Sequence, residues 1–92
     1  MIPRIKTIVA EPNWELLVTF DNGKTVLYDV EDDIKTIPDF QPLRTETGLF
    51  DNFQVDDSRT CVFWTDRIDL PSDTLLEYGK KVESKSKDSV PG

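Results

Sequence analysis

The stretch Trp14-Glu15-Leu16-Leu17-Val18-Thr19-Phe20-Asp21-Asn22-Gly23-Lys24-Thr25-Val26-Leu27-Tyr28-Asp29-Val30 decides the fold. Trp14, Leu16, Val18 and Phe20 alternate with Glu15, Leu17 and Thr19, and Val26, Tyr28 and Val30 alternate with Thr25, Leu27 and Asp29. This period of two marks a pair of half-buried strands. Loop length sets how they pair. A two-residue Asn22-Gly23 loop would put Val18 opposite Leu27 and Leu16 opposite Asp29, mixing apolar and acidic faces. A three-residue Asp21-Asn22-Gly23 loop puts Val18 opposite Val26, Leu16 opposite Tyr28 and Trp14 opposite Val30, so one face is apolar throughout. Three-residue hairpin loops end a type I turn in a left-handed residue, and Gly23 stands where that residue is needed. The three-residue register is therefore predicted. Its reverse face pairs Leu17 with Leu27 and brings together the like charges of Glu15 and Asp29.

Working outward, Ile2 to Val9 reads as another strand, with Ile5, Thr7 and Val9 on one side and Arg4, Lys6 and Ile8 on the other. Downstream, the acidic run Glu31-Asp32-Asp33 precedes a helical turn from Ile34 to Ile37, stopped by Pro38. Phe40 and Leu43 read as anchors. A helix from Thr45 through Asn52 would set Leu49, Phe50 and Phe53 on one face. Phe53 to Val55, Thr60 to Trp64 and Ile68 to Leu70 read as short strands, joined by Asp56-Asp57-Ser58-Arg59 and Thr65-Asp66-Arg67. A terminal helix follows, with Ser72 or Asp73 as N-cap and Gly79 as its stop. The sum predicts an α+β domain over residues 1–79: small antiparallel sheets from the N-terminal strands and a C-terminal hairpin, with two short helices. Residues 80–92 hold few apolar side chains and read as a disordered charged tail.

Composition narrows the chemistry. The 92 residues carry 11 Lys+Arg against 18 Asp+Glu, no histidine and one cysteine, a net charge of -7. Residues 1–78 alone hold 7 basic and 16 acidic side chains, a balance of -9. Without histidine, neither a Ser/His/Asp relay nor a Cys/His pair can be assembled within the chain. A single thiolate among carboxylates is a poor zinc set, and no cofactor is expected. No apolar run reaches the ~18 residues of a membrane span. With one unpaired cysteine and no leader-like start, the chain reads as cytoplasmic. Scattered basic side chains among more numerous carboxylates argue against direct nucleic-acid binding.

The ordered set Pro3-Arg4-Ile5, Leu16-Leu17-Val18-Thr19-Phe20 before Asn22-Gly23, Phe40-x-Pro42-Leu43, Leu49-Phe50-x-x-Phe53-x-Val55-Asp56, Trp64 and Asp69-Leu70-x-x-Asp73-Thr74-Leu75 resembles the small bacterial domain-of-unknown-function family 2442. The resemblance spans roughly residues 1–78. It implies an α+β domain with antiparallel strands, the bacterial cytosol and no established activity. Members of that family are often encoded beside small basic proteins that look like toxins, which implies an antitoxin-like or accessory binding role. Some carry a helix-turn-helix domain after this one, for which the chain from Lys80 to Gly92 is too short.

Two sets of residues are candidates for function. Asp29, Glu31, Asp32 and Asp33, with Trp64 and Asp66, form a possible surface for a basic partner protein encoded nearby, the first reading. The second is a carboxylate-based small-ligand binder or enzyme using Asp56, Asp66 and Asp69 beside Trp64. Against it, Asp56, Asp66 and Asp73 are the residue type that turns and caps use for their own backbone. Trp14 shares the strand phase of Leu16 and Val18 and reads as core, whereas Trp64, next to a tight connection, is the better candidate for an exposed contact. Cys61, with no basic neighbour in sequence, reads as an inert thiol. A homodimer through an exposed strand edge is a third expectation.

Overall fold

A computed structural model describes residues 2–82. The first hairpin has the predicted register: Glu15 pairs with Asp29, Leu16 with Tyr28, Leu17 with Leu27, Val18 with Val26 and Thr19 with Thr25, between β2 (Glu15–Phe20) and β3 (Thr25–Asp29). The Gly23 amide donates to the Phe20 carbonyl at 2.9 Å, and Gly23 has φ +89°, the left-handed geometry that suits glycine. The apolar set Leu16, Val18, Phe20, Val26 and Tyr28 is buried on one face.

β1 (Ile5–Glu11) runs antiparallel to β2, but its phase changes partway. Ile5 pairs with Phe20, the register shifts between Ile5 and Thr7, and thereafter Ile8 pairs with Val18 and Ala10 with Leu16. Ile5, Ile8 and Ala10 therefore face the core, while Thr7, Val9 and Glu11 face away. This corrects the expected grouping of Ile5 with Thr7 and Val9. The cause is a β-bulge, whose extra residue moves every later side chain to the other face. Trp14 lies in the β1–β2 turn, not in the strand, with φ 64°. Its carbonyl still accepts the Val30 amide at 2.9 Å, and its ring packs edge-on against Phe50 at 5.3 Å.

Beyond β3 the helices differ from the expectation in place and number. α1 (Val30–Thr36) starts four residues before Ile34 because Asp29 caps it, its carboxylate accepting the Glu31 amide at 3.0 Å. A 3-10 turn (Pro38–Phe40) and α2 (Pro42–Thr45) follow, each with proline in its first turn. Residues 46–52 form successive turns, not the expected helix, and Gly48 takes φ +84°, outside helical geometry. Leu49, Phe50 and Phe53 nonetheless reach the core.

The second sheet has the order β4 (Gln54–Val55), β5 (Cys61–Thr65), β6 (Ile68–Pro71), with Val62, Trp64, Ile68 and Leu70 buried. α3 (Ser72–Tyr78) follows directly. Neither Ser72 nor Asp73 is its N-cap. Pro71 takes that position without a side-chain bond, and the fully buried Ser72 hydroxyl donates to the Pro3 carbonyl at 2.6 Å. After α3, β7 (Lys80–Lys81) pairs with β3, completing a first sheet of order β1-β2-β3-β7. The ordered fold thus continues two residues beyond Gly79. Residues 83–92, where disorder is expected, lie outside the described residues. One apolar cluster joins both sheets and the helices, the α+β architecture that the sequence predicts. Among the described residues no helix is long and apolar enough to cross a membrane.

Candidate functional site: an acidic cleft between two helices

The end of β3, the first turn of α1 and one side of α3 border a cleft of about 520 Å³, lined by Tyr28, Asp29, Asp32, Asp33, Thr74 and Tyr78. Three of the four carboxylates singled out from the sequence are on this lining. Their roles differ. Asp29 spends one oxygen capping α1. Asp33 accepts the Tyr28 hydroxyl at 2.7 Å. Burial, opposed by that bond and reinforced by Asp32 and Asp29, pushes the Asp33 carboxyl above the usual carboxylate range. Burial, with Asp33 beside it, holds the Tyr28 phenol well above its ordinary value, so it stays a proton donor. Asp32 is exposed and makes no ion pair among the described residues. Glu31 turns aside to pair with Arg44 at 3.2 Å and Lys35 at 4.0 Å.

Tyr78 was not identified from the sequence. It is 72% exposed at the rim, facing the carboxylates of an element some forty residues earlier. Its place depends on α3 closing onto β3. A β-carbon on Gly79 would come within 2.8 Å of Val26 and 2.5 Å of the Leu75 carbonyl, so only glycine permits that approach. No local pattern announces such a contact.

The remaining candidates lie on the second sheet. Trp64 is not a surface contact: it is 8% exposed, its indole N–H donates to the Phe50 carbonyl at 2.9 Å, and its ring stacks on Phe50 with centroids 6.0 Å apart. It shares the strand face of Val62, and that phase outweighs its nearness to the connection. Asp66 is exposed at the β5–β6 turn. Asp56 is occupied by its own turn, accepting the amides of Thr60 and Cys61 at 3.0 and 3.1 Å and the Ser58 hydroxyl at 2.8 Å. The Ser58 bond, then those amides, hold Asp56 below the usual range. With Trp64 inside the core, Asp56, Asp66 and Asp69 do not have it as the aromatic partner that the second reading gives them. Among the described residues, no three His, Cys, Asp or Glu side chains are grouped to hold a metal ion. Burial, then Asp69 and Asp56, raise the Cys61 thiol pKa, which disfavours the nucleophilic thiolate.

The chain is thus a small α+β domain with two antiparallel sheets and an acidic, tyrosine-rimmed cleft. It belongs to the family described as protein of unknown function (DUF2442), whose model matches residues 5–81. Comparison with curated proteins and with solved structures gave no match.

Proposed function

We propose that the chain is a non-enzymatic protein interaction module of the bacterial cytoplasm, antitoxin-like or accessory, that binds a basic partner protein. The observation that carries this reading is the cleft itself. Asp29, Asp32 and Asp33 line one concavity whose rim is an exposed tyrosine, an arrangement suited to a Lys or Arg side chain. The carboxylates supply charge-assisted hydrogen bonds and the ring of Tyr78 supplies a cation–π surface. The acidic surplus of the body adds long-range attraction, which raises the association rate and fades as salt screens it. The absence of histidine from the whole chain supports a binding role over general acid–base work.

The test is a pull-down from native cytosol at low and high ionic strength, followed by titration of the captured basic protein. Replacing Asp32 with Asn and Tyr78 with Ala together should weaken that complex about tenfold or more and flatten its salt dependence. Unchanged affinity and unchanged salt slope in the double variant would remove the cleft from the reading. Turnover of a small metabolite by the purified chain would remove the reading itself.

A further inference from the structure

On the outer face of the four-stranded sheet Val9 and Lys80 are exposed, and Leu17 and Leu27 are half-buried. Cross-strand partners share a face, so the pairings of β1, β2, β3 and β7 define rows across it. Thr7, Thr19 and Thr25 make one row. Val9, Leu17 and Leu27 make the next, ended by Lys80. Glu11, Glu15 and Asp29 make the third. The second row is apolar yet stands apart from the core cluster, and Val9 is 49% exposed. In the third row three carboxylates lie side by side on adjacent strands, and neither Glu11 nor Glu15 forms an ion pair among the described residues. Directly opposed like charges weaken a sheet; Asp29 is accounted for as the cap of α1, which leaves Glu11 and Glu15 without a folding role.

We propose that this face seats the basic partner: an amphipathic segment covers Val9, Leu17 and Leu27 with its apolar side chains and sets a flank of Lys or Arg over Glu11, Glu15 and Asp29. The inference rests on the reading that the chain binds a basic protein, and it names the surface. Antiparallel sheets commonly leave one face to solvent, and an apolar row across three strands there is surface that a partner can cover. Charge selects the occupant. A second copy would stack one carboxylate row into an interface with another, and among the described residues these three rows offer only Lys80 in return. A cationic partner relieves the same row. Asp29 belongs both to this row and to the cleft lining, so one partner can run from the sheet face to the α1–α3 cleft without leaving acidic ground.

The experiment uses the full chain, 15N-labelled, titrated with a synthetic peptide that carries a leucine stripe flanked by lysines, and with a counterpart bearing glutamates in place of the lysines. Saturable shifts of the Val9, Leu17 and Leu27 amides with the lysine peptide alone are expected, and either Glu15→Gln or Leu17→Thr should weaken binding about tenfold. Both positions are outside the core, and the amide spectrum reports that the variants stay folded. Shifts confined to Asp32, Asp33, Thr74 and Tyr78 would overturn the face while leaving the binding reading in place. No saturable shift in either region at low salt would overturn both. A concentration-dependent dimer abolished by Leu17→Thr would give the face to a second copy and overturn the partner.

Discussion

The two sheets are built by different means. The four-stranded sheet grows from a hairpin whose alternation and three-residue turn carry their own instructions. The three-stranded sheet has strands of two to five residues and is held by side chains that bond to backbone elsewhere. Asp56 gathers the amides of Thr60 and Cys61, Trp64 donates to the Phe50 carbonyl, Ser72 donates to Pro3, and Arg59 bonds to Ile5 and Asp21. Pattern suffices for the β2–β3 hairpin, where alternation and turn agree. Where strands are short, individual polar contacts take over, and each becomes a point of failure.

The largest effect should come from Trp64. Trp64→Ala removes a buried ring and its Phe50 stack and should cost about 3–5 kcal/mol in denaturant unfolding. Trp64→Phe keeps the ring but leaves the Phe50 carbonyl unpaired, at about 1–3 kcal/mol. If Trp64→Ala cost no more than a surface change, the second sheet would not depend on this contact. Next is Gly79→Ala, where the added carbon meets backbone and the Val26 side chain. Overpacking of that kind costs about 1–3 kcal/mol, and loss of the β3–β7 amide protection from hydrogen exchange would localise the damage. An undisturbed Gly79→Ala variant would show that α3 can stand off from β3.

The smallest effects are those of pH. Asp56 has a lowered pKa in the fold, so its contribution is present above the unfolded carboxylate value of about 4 and is lost as pH falls through the lower folded value. Asp56→Asn should therefore flatten the acid limb of the stability curve. Asp33 is raised, so its folded form takes up a proton before the unfolded chain does, and the penalty of its buried charge disappears on acidification. Asp33→Asn should steepen the same limb. Identical acid limbs in both variants would contradict the contrast between a turn-bound and a desolvated carboxylate.

Legibility in the sequence cuts across that division. The β2–β3 register was readable because one loop length alone segregated Leu16, Val18, Val26 and Tyr28 from Glu15 and Asp29. The β1 phase was not, since a bulge leaves no mark in Ile5-Lys6-Thr7 that alternation can detect. The start of α1 could have been found: Asp29 before Val30-Glu31 is a capping signal, hidden by its membership of a strand. Burial of Trp64 was implied by its shared phase with Val62, and proximity to a turn was the weaker cue. The acidic part of the cleft was legible as a charge run, but Tyr78 was not, because only tertiary closure at Gly79 brings α3 to it.

Arg59 carries a consequence beyond holding the sheets together. Its carbonyl takes the Ile5 amide at 2.7 Å, its guanidinium reaches the Ile5 carbonyl at 3.3 Å, and two further nitrogen–oxygen contacts, at 2.9 and 2.8 Å, fasten it to Asp21. Ile5 begins an outermost strand, where another chain would otherwise find free donors and acceptors to extend the sheet. With both groups of Ile5 already engaged, a strand added along this edge would find neither its amide nor its carbonyl free at that end of β1.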